Sequence, residues 1–332
     1  MPIERTGGQF LWAVGGFPND APCTDEVSVY SIGEDRWYTS LDGDVAPMPH
    51  PVRAAGWTSW EDKFFCFGGK QGGDENCVPY VQVYDVHDDE WTLREDMPEP
   101  RSKLGKYYPV VDDRFVYLFG GDDVGGRFSR VNWNWRYDLA NDEWDTAVAD
   151  APFSQSFPLP TAHDGWLYYL TGNTGSRKLN SYPGALSQRY NPETDEWQVV
   201  TPCPLPVTDG DGDKWRGEMH FVGGWNTNPA FYNEDKTNYR GPIERQHFVY
   251  DYETNTWRFE SPLPGRWHHG GLRGGEEYLW RYLGIIDEEK HRRMTDRIFR
   301  WDGERWEEMT PAPLAKMNFG TIHTTIGPSA TE

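Results

Sequence analysis

Two short stretches of this chain carry side chains able to move protons or hold a cation. Thr208-Asp-Gly-Asp-Gly-Asp213 sets Asp209, Asp211 and Asp213 at alternate positions, so an extended backbone presents three carboxylates on one side. Calcium or another hard divalent cation prefers such an oxygen set. An EF-hand is excluded, because Lys214 stands where that loop needs glycine and His220 where it needs its closing glutamate. In Trp267-His268-His269, adjacent histidines on a strand face opposite ways, so at most one meets a shared site. His268 would serve as a general base near neutral pH or as a metal ligand, with Asp209 or Asp211 as its partner. A solvated Asp-Gly turn and a hydrogen-bonded packing histidine are the plainer readings of the same residues. No Ser or Cys occupies a Gly-x-Ser-x-Gly turn, so a nucleophilic triad is not supported.

The elements that must position these groups repeat along the chain. Trp37, Trp91, Trp144, Trp197, Trp257 and Trp306 recur at intervals of 49 to 60 residues. Each follows an aromatic by seven positions: Tyr30, Tyr84, Tyr137, Tyr190, Tyr250 and Phe299. Upstream of each pair lies an apolar run closed by glycines, as in Leu11-Trp-Ala-Val-Gly15-Gly16, Phe64-Phe-Cys-Phe-Gly68-Gly69, Val116-Tyr-Leu-Phe-Gly120-Gly121 and His220-Phe-Val-Gly223-Gly224. Leu170-Thr-Gly172-Asn173 and Tyr282-Leu283-Gly284 are weaker copies. Such runs read as short buried strands, and a fixed period of about 50 residues reads as stacked supersecondary units. Proline-rich linkers, among them Met48-Pro-His-Pro51, Met97-Pro-Glu-Pro-Arg101, Cys203-Pro-Leu-Pro206, Pro262-Leu-Pro264 and Pro311-Ala-Pro-Leu314, separate them.

This order of apolar strand, Gly-Gly, variable loop and Tyr-x6-Trp resembles the kelch repeat, over essentially all 332 residues. The resemblance implies one all-β domain spanning 1–332, a six-bladed propeller with four antiparallel strands per blade around a central channel. The first repeat lacks an innermost strand, and Met317-Asn-Phe-Gly-Thr-Ile-His-Thr-Thr-Ile326 lacks partners, so that run is expected to complete the first blade and close the ring. Single-domain kelch proteins similar to this one include the sialic acid mutarotases, which makes an isomerase, mutarotase or cyclase a reasonable expectation. The Glu, Asp and His iron ligands of kelch-type specifier proteins are not evident.

On that frame the innermost strands begin at Arg53-Ala-Ala-Gly56, Arg101-Ser-Lys-Leu-Gly105, Gln155-Ser-Phe-Pro-Leu159, Val207-Thr-Asp-Gly210, Arg266-Trp-His-His-Gly270 and Lys316-Met-Asn-Phe-Gly320. Arg53, Arg101, Arg266 and Lys316, with Lys103 just inside, form a cationic funnel suited to a carboxylate or phosphate. Each arginine also has the alternative of bonding linker carbonyls. Trp57, Trp225 and Trp267 are candidates for stacking, and Asn318 and Arg240 complete the ligand-binding set. Between Gly224 and Tyr250 the loop holds 25 residues, against 13 or 14 in the first two repeats, which suggests a lid over the mouth.

With 37% hydrophobic and 15% aromatic residues, 35 glycines and 25 prolines, the composition suits many short strands and turns. A net charge of −21 opposes nonspecific binding to nucleic acid or anionic membranes. Acids crowd the turns between the third and fourth strands (Asp35, Asp89, Asp142, Asp195), which read as solvated tips, while bases such as Lys70, Arg130, Arg245, Arg292 and Arg293 gather on the opposite loop face. The first residues carry no leader pattern and no stretch reaches membrane-spanning length, so a cytoplasmic protein is expected. Cys23, Cys66, Cys77 and Cys203 lack metal spacing, with a Cys23–Cys77 disulfide left open. Two functions follow: binding of a small anionic or polyhydroxylated molecule at the channel mouth with acid–base chemistry, or receipt of an acidic peptide on the basic loop face. A deep pocket holding His268 and an Asp favours the first, an open bowl the second.

Overall fold

The computed structural model describes residues 7–72, 76–125, 129–174, 186–228, 230, 241–288 and 291–326. Among them are six four-stranded antiparallel sheets and one helical element, the 3-10 turn Ser40–Asp42. The second sheet shows the plan: Gly56–Trp60, Lys63–Phe67, Val81–Asp85 and Glu90–Arg94 pair in chain order. The second and third strands are nearly all buried and the fourth is largely exposed. Near-continuous apolar runs therefore fill the middle of each sheet, where both faces are covered by neighbouring sheets.

The first sheet is assembled from both ends of the described chain. Gly320–Ile326 pairs with Gly8–Val14 along its whole length, ahead of Val27–Ser31 and Arg36–Thr39. First strands of successive sheets touch: Gly320–Ile326 meets Gly56–Trp60 and Gly271–Gly274, and Asp211–Trp215 meets Leu159–His163 and Gly271–Gly274.

The repeated landmarks hold sheet to sheet. Each anchor indole donates to a carbonyl of the linker leaving the preceding sheet: Trp91 to Ala46 (3.3 Å), Trp144 to Glu95 (3.3 Å), Trp197 to Ala149 (2.8 Å), Trp257 to Thr201 (3.0 Å) and Trp306 to Ser261 (3.4 Å). Trp37 of the first sheet donates to Thr310, beyond the sixth (3.0 Å). The acidic turn residues are more than solvated tips. Asp89 accepts from Tyr84 Oη (2.7 Å) and from the linker amide of Ala46 (2.7 Å); Asp195 does the same with Tyr190 and Ala149, as does Asn255 with Tyr250 and Thr201. Each sits at positive φ (48° to 60° across Asp35, Asp89, Asp142, Asp195 and Asn255), where Asp and Asn are tolerated.

The glycine pairs are explained by crowding and conformation together. At Gly121 (φ 94°) a Cβ would stand 2.6 Å from the Ser102 carbonyl oxygen, and the Gly121 amide donates to Gln155 of the next repeat (2.8 Å). In the weaker copies Thr171 (φ 55°) and Leu283 (φ 56°) replace the first glycine with the same left-handed backbone.

Candidate functional site at the first-strand entries and an adjoining cleft

Two residues before each first strand or its equivalent, the backbone turns left-handed. Ala54, Lys103, Phe157, Asp209, His269 and Asn318 have φ between 52° and 59°. These equivalent residues are joined between sheets by main-chain hydrogen bonds: His269 N to Asp209 O (2.9 Å), Asn318 N to His269 O (3.1 Å), Ala54 N to Asn318 O (2.9 Å) and Phe157 N to Lys103 O (2.6 Å). His269 Nε2 lies 3.6 Å from Asp209 Oδ2, and the Phe157 ring meets the His269 ring edge-on at 5.7 Å. Asp209 also accepts from Asn173 Nδ2 (3.4 Å) and Thr208 Oγ1 (3.3 Å), while Lys103 is paired with Asp122 (2.6 Å).

Beneath these residues lies a buried charge cluster that sequence reading missed. Lys106, from the third repeat, crosses to pair with Asp211 of the fifth and donates to the Gly270 carbonyl of the sixth (2.5 Å). Asp211 also faces Arg281 Nη2 (3.1 Å) and accepts from the Gly270 amide (3.1 Å). Burial alone would raise the Asp211 carboxyl, but Lys106 and Arg281 hold it below the ordinary carboxylate range, so it stays ionised. Asp213 turns to Arg273 (3.1 Å) and the Gly274 amide (2.9 Å), and Arg273 lies over the Tyr107 ring and donates to the Thr321 carbonyl (2.8 Å).

These placements revise the calcium expectation. Asp209, Asp211 and Asp213 go to separate partners, two of them cationic, and among the described residues no group of three His, Cys, Asp or Glu side chains converges as a metal site. His268 meets an indole among the described residues. It is buried, and its Nδ1 accepts from Trp225 Nε1 (2.9 Å); the strand Arg266–His268 ends there, and His269 turns toward Asp209 instead.

The cationic funnel is likewise revised. Arg101 is fully buried, donating to the carbonyls of Leu118 (3.2 Å), Gly120 (3.0 Å) and Trp133 (3.3 Å) and stacking on Trp135; burial pushes its pKa down to about 10, which leaves it charged. Lys316 is fully buried too, paired with Glu26 and donating to Ala13 O (2.8 Å). Arg53 donates to Gly72 O (2.7 Å) and lies over Phe17. All three serve orphan carbonyls or a buried carboxylate, the alternative open to any linker arginine. The tryptophans are packed rather than free to stack on a ligand: Trp57 fills the space beside Gly320, Trp267 meets Phe299 edge-on at 5.0 Å, and Trp225 carries Arg292 over its ring. Arg240 and most of the long loop lie outside the described residues.

Among the described residues, Arg266 is the expected cation that is exposed. It donates to Ile243 O (2.7 Å) and lines a cleft of about 650 Å³ with Arg245, Pro264, Gly265, Asp287, Glu288, Arg293 and Arg297. The cleft lies where the linker between the fifth and sixth sheets meets the hairpin Ile285–Glu288/His291–Met294. Glu288 pairs with Arg293 (2.8 Å) and Arg297 (3.3 Å), and Arg297 also with Glu308 (2.6 Å). Among the described residues no carboxylate stands within ion-pair distance of Arg245 or Arg266.

No family model matches the chain. Its sequence is 27% identical over 206 residues to Kelch-like protein terF of Aspergillus terreus, covering 60% of this chain and 43% of the relative. Beta-scruin of Limulus polyphemus is 24% identical over 344 residues, covering 98% of this chain and 35% of the relative. The solved structure of YjhT superimposes with a TM-score of 0.64 at 13% identity, covering 90% of this chain and 97% of that one. Kelch-like proteins and scruin are thus homologues of this chain, and its four-stranded antiparallel sheets fit a kelch-type propeller. The chain spans less than half the length of these curated kelch relatives, and the likeness to YjhT concerns the fold.

Two further expectations meet the kelch structure here. The four cysteines are reduced thiols: Cys23 Sγ faces the carbonyls of Pro51 and Gln71, and Cys77 Sγ faces Ser102 Oγ (3.2 Å), so the Cys23–Cys77 bridge is not formed. No helix among the described residues is long and apolar enough to cross a membrane.

Proposed function

We propose that residues 1–332 form a single six-bladed kelch ring, closed through its C-terminal strand, that receives an acidic segment of a partner protein in the cleft between the fifth and sixth sheets. One observation carries this reading: Arg245 and Arg266 line that cleft without a carboxylate partner among the described residues, whereas the charges beneath the first-strand entries are paired with one another. Guanidinium groups present planar forks that bind carboxylates in pairs, and an open cleft admits an extended chain. The test is fluorescence anisotropy with a labelled Glu/Asp-rich peptide and a Lys-rich control. Binding of the acidic peptide alone, weakened by added salt and lost in Arg245→Ala/Arg266→Ala, supports the reading; equal binding of both peptides, or no change in the double variant, defeats it.

A second reading is favoured by the Asp209–His269 contact. A small molecule held at the channel mouth would meet a carboxylate and an imidazole side by side, the pairing that acid–base isomerisation or mutarotation uses. On this reading His269 takes the role expected of His268.

A further inference from the structure

We infer that the ring of left-handed residues at the mouth, through Asp209, His269 and Asn318, binds a neutral polyhydroxylated ligand such as a pyranose or cyclitol, and not an anion. This rests on the second reading for its location only and makes a claim about binding that stands or falls apart from catalysis. Asn318 is 8% exposed, and its Oδ1 is buried without a hydrogen-bond donor among the described residues. A buried acceptor in that state calls for a donor from outside. Asp209, about 16% exposed at its side chain, adds a carboxylate that accepts only, and Lys103, the cation of the ring, is matched by Asp122. The rim therefore offers acceptors, and a carboxylate or phosphate brought to it would face Asp209 with no unmatched cation in the ring to offset the repulsion. Phe157, edge-on to His269, supplies an apolar surface of the kind on which sugar C–H faces pack. The main-chain bonds through Asp209, His269 and Asn318 hold these side chains in fixed relation before any ligand arrives.

The experiment is calorimetric and NMR titration of the full chain with D-galactose, D-mannose and myo-inositol, and with D-glucuronate as the charged counterpart. The variants Asp209→Asn, His269→Asn and Asn318→Gly each put at positive φ a residue that tolerates it, so the backbone ring survives; an unchanged melting temperature checks this. The inference expects at least one neutral probe to bind in the millimolar range or tighter, glucuronate to bind more weakly, and each variant to weaken binding by about tenfold. Arg245→Ala, in the separate cleft, should leave that affinity unchanged. No binding of any neutral probe, tighter binding of glucuronate, or indifference to all three variants overturns it. A neutral sugar that binds while its anomers exchange no faster supports the site and removes the acid–base reading.

Discussion

The first-strand entries and the cleft lined by Arg245 and Arg266 are both rich in cations, yet they hold them in different ways. Inside, Arg101 and Lys316 are enclosed and aimed at main-chain oxygens, while Lys106 and Arg281 share Asp211. In the cleft, Arg245 and Arg266 are exposed and have no described carboxylate opposite them. The first set is required by the fold, because a charge taken out of water must be answered by charge or dipoles. The second set is exposed to water, although Arg266 also serves the Ile243 carbonyl, so the fold asks less of it and the proposed function assigns it to a partner. A count of basic residues near a predicted opening does not separate the two.

The comparison is broken most forcefully at Lys316. Lys316→Met leaves the Glu26 carboxylate buried without its cation, and the expected loss is about 3–5 kcal/mol of unfolding free energy in urea titrations. A loss below about 1 kcal/mol would show that this interior cation is not structural.

Acid sharpens the contrast next, because the interior also holds neutral histidines. His220 Nδ1 and His247 Nε2 lie 2.9 Å apart in the fifth sheet, beside Trp301, and burial pushes their pKa values down to about 4 and about 3. In the unfolded chain each takes a proton as pH falls through about 6.5, while the folded protein resists protonation until about 4. Stability should therefore fall between those values, by roughly 3 kcal/mol at pH 4 for either histidine taken alone. Urea midpoints at pH 7 and pH 4.5 measure it, and His247→Gln should flatten the slope; an equal slope in the variant would remove the histidines as its cause.

The smallest effect on stability belongs to the cleft. Arg245→Ala/Arg266→Ala should move the unfolding free energy by no more than about 0.5 kcal/mol, as exposed substitutions do. The same double variant should lose acidic-peptide binding by tenfold or more. A large destabilisation would erase the distinction between the two regions.

Much of this was legible in the chain. The Tyr–Trp pairs, the glycine pairs and the unpartnered Met317–Ile326 run led to antiparallel sheets of four strands and to a first sheet completed from the far end, as Gly320–Ile326 on Gly8–Val14 bears out. What stayed hidden was the direction of individual side chains. Arg101 and Lys316 look like Arg266 in sequence, and only the neighbouring carbonyls decide which of them turns inward. Strand alternation lets at most one of His268 and His269 meet a shared site, but alternation ends where the backbone turns left-handed at His269. The six equivalents Ala54, Lys103, Phe157, Asp209, His269 and Asn318 share a conformation and no chemistry, so no pattern of residue types marks them. Lys106 contacts Asp211 across 105 positions, a distance over which local periodicity carries no signal.

The pairing of Gly8–Val14 with Gly320–Ile326 has a consequence for biosynthesis. As the chain emerges from the ribosome, its first sheet stays one strand short until Gly320–Ile326 has been translated, and Trp37 waits for Thr310. A strand made before the other sheets is thus completed after them, and in the interval the apolar edge of Leu11, Trp12 and Ala13 is open to chaperones or to a neighbouring nascent chain.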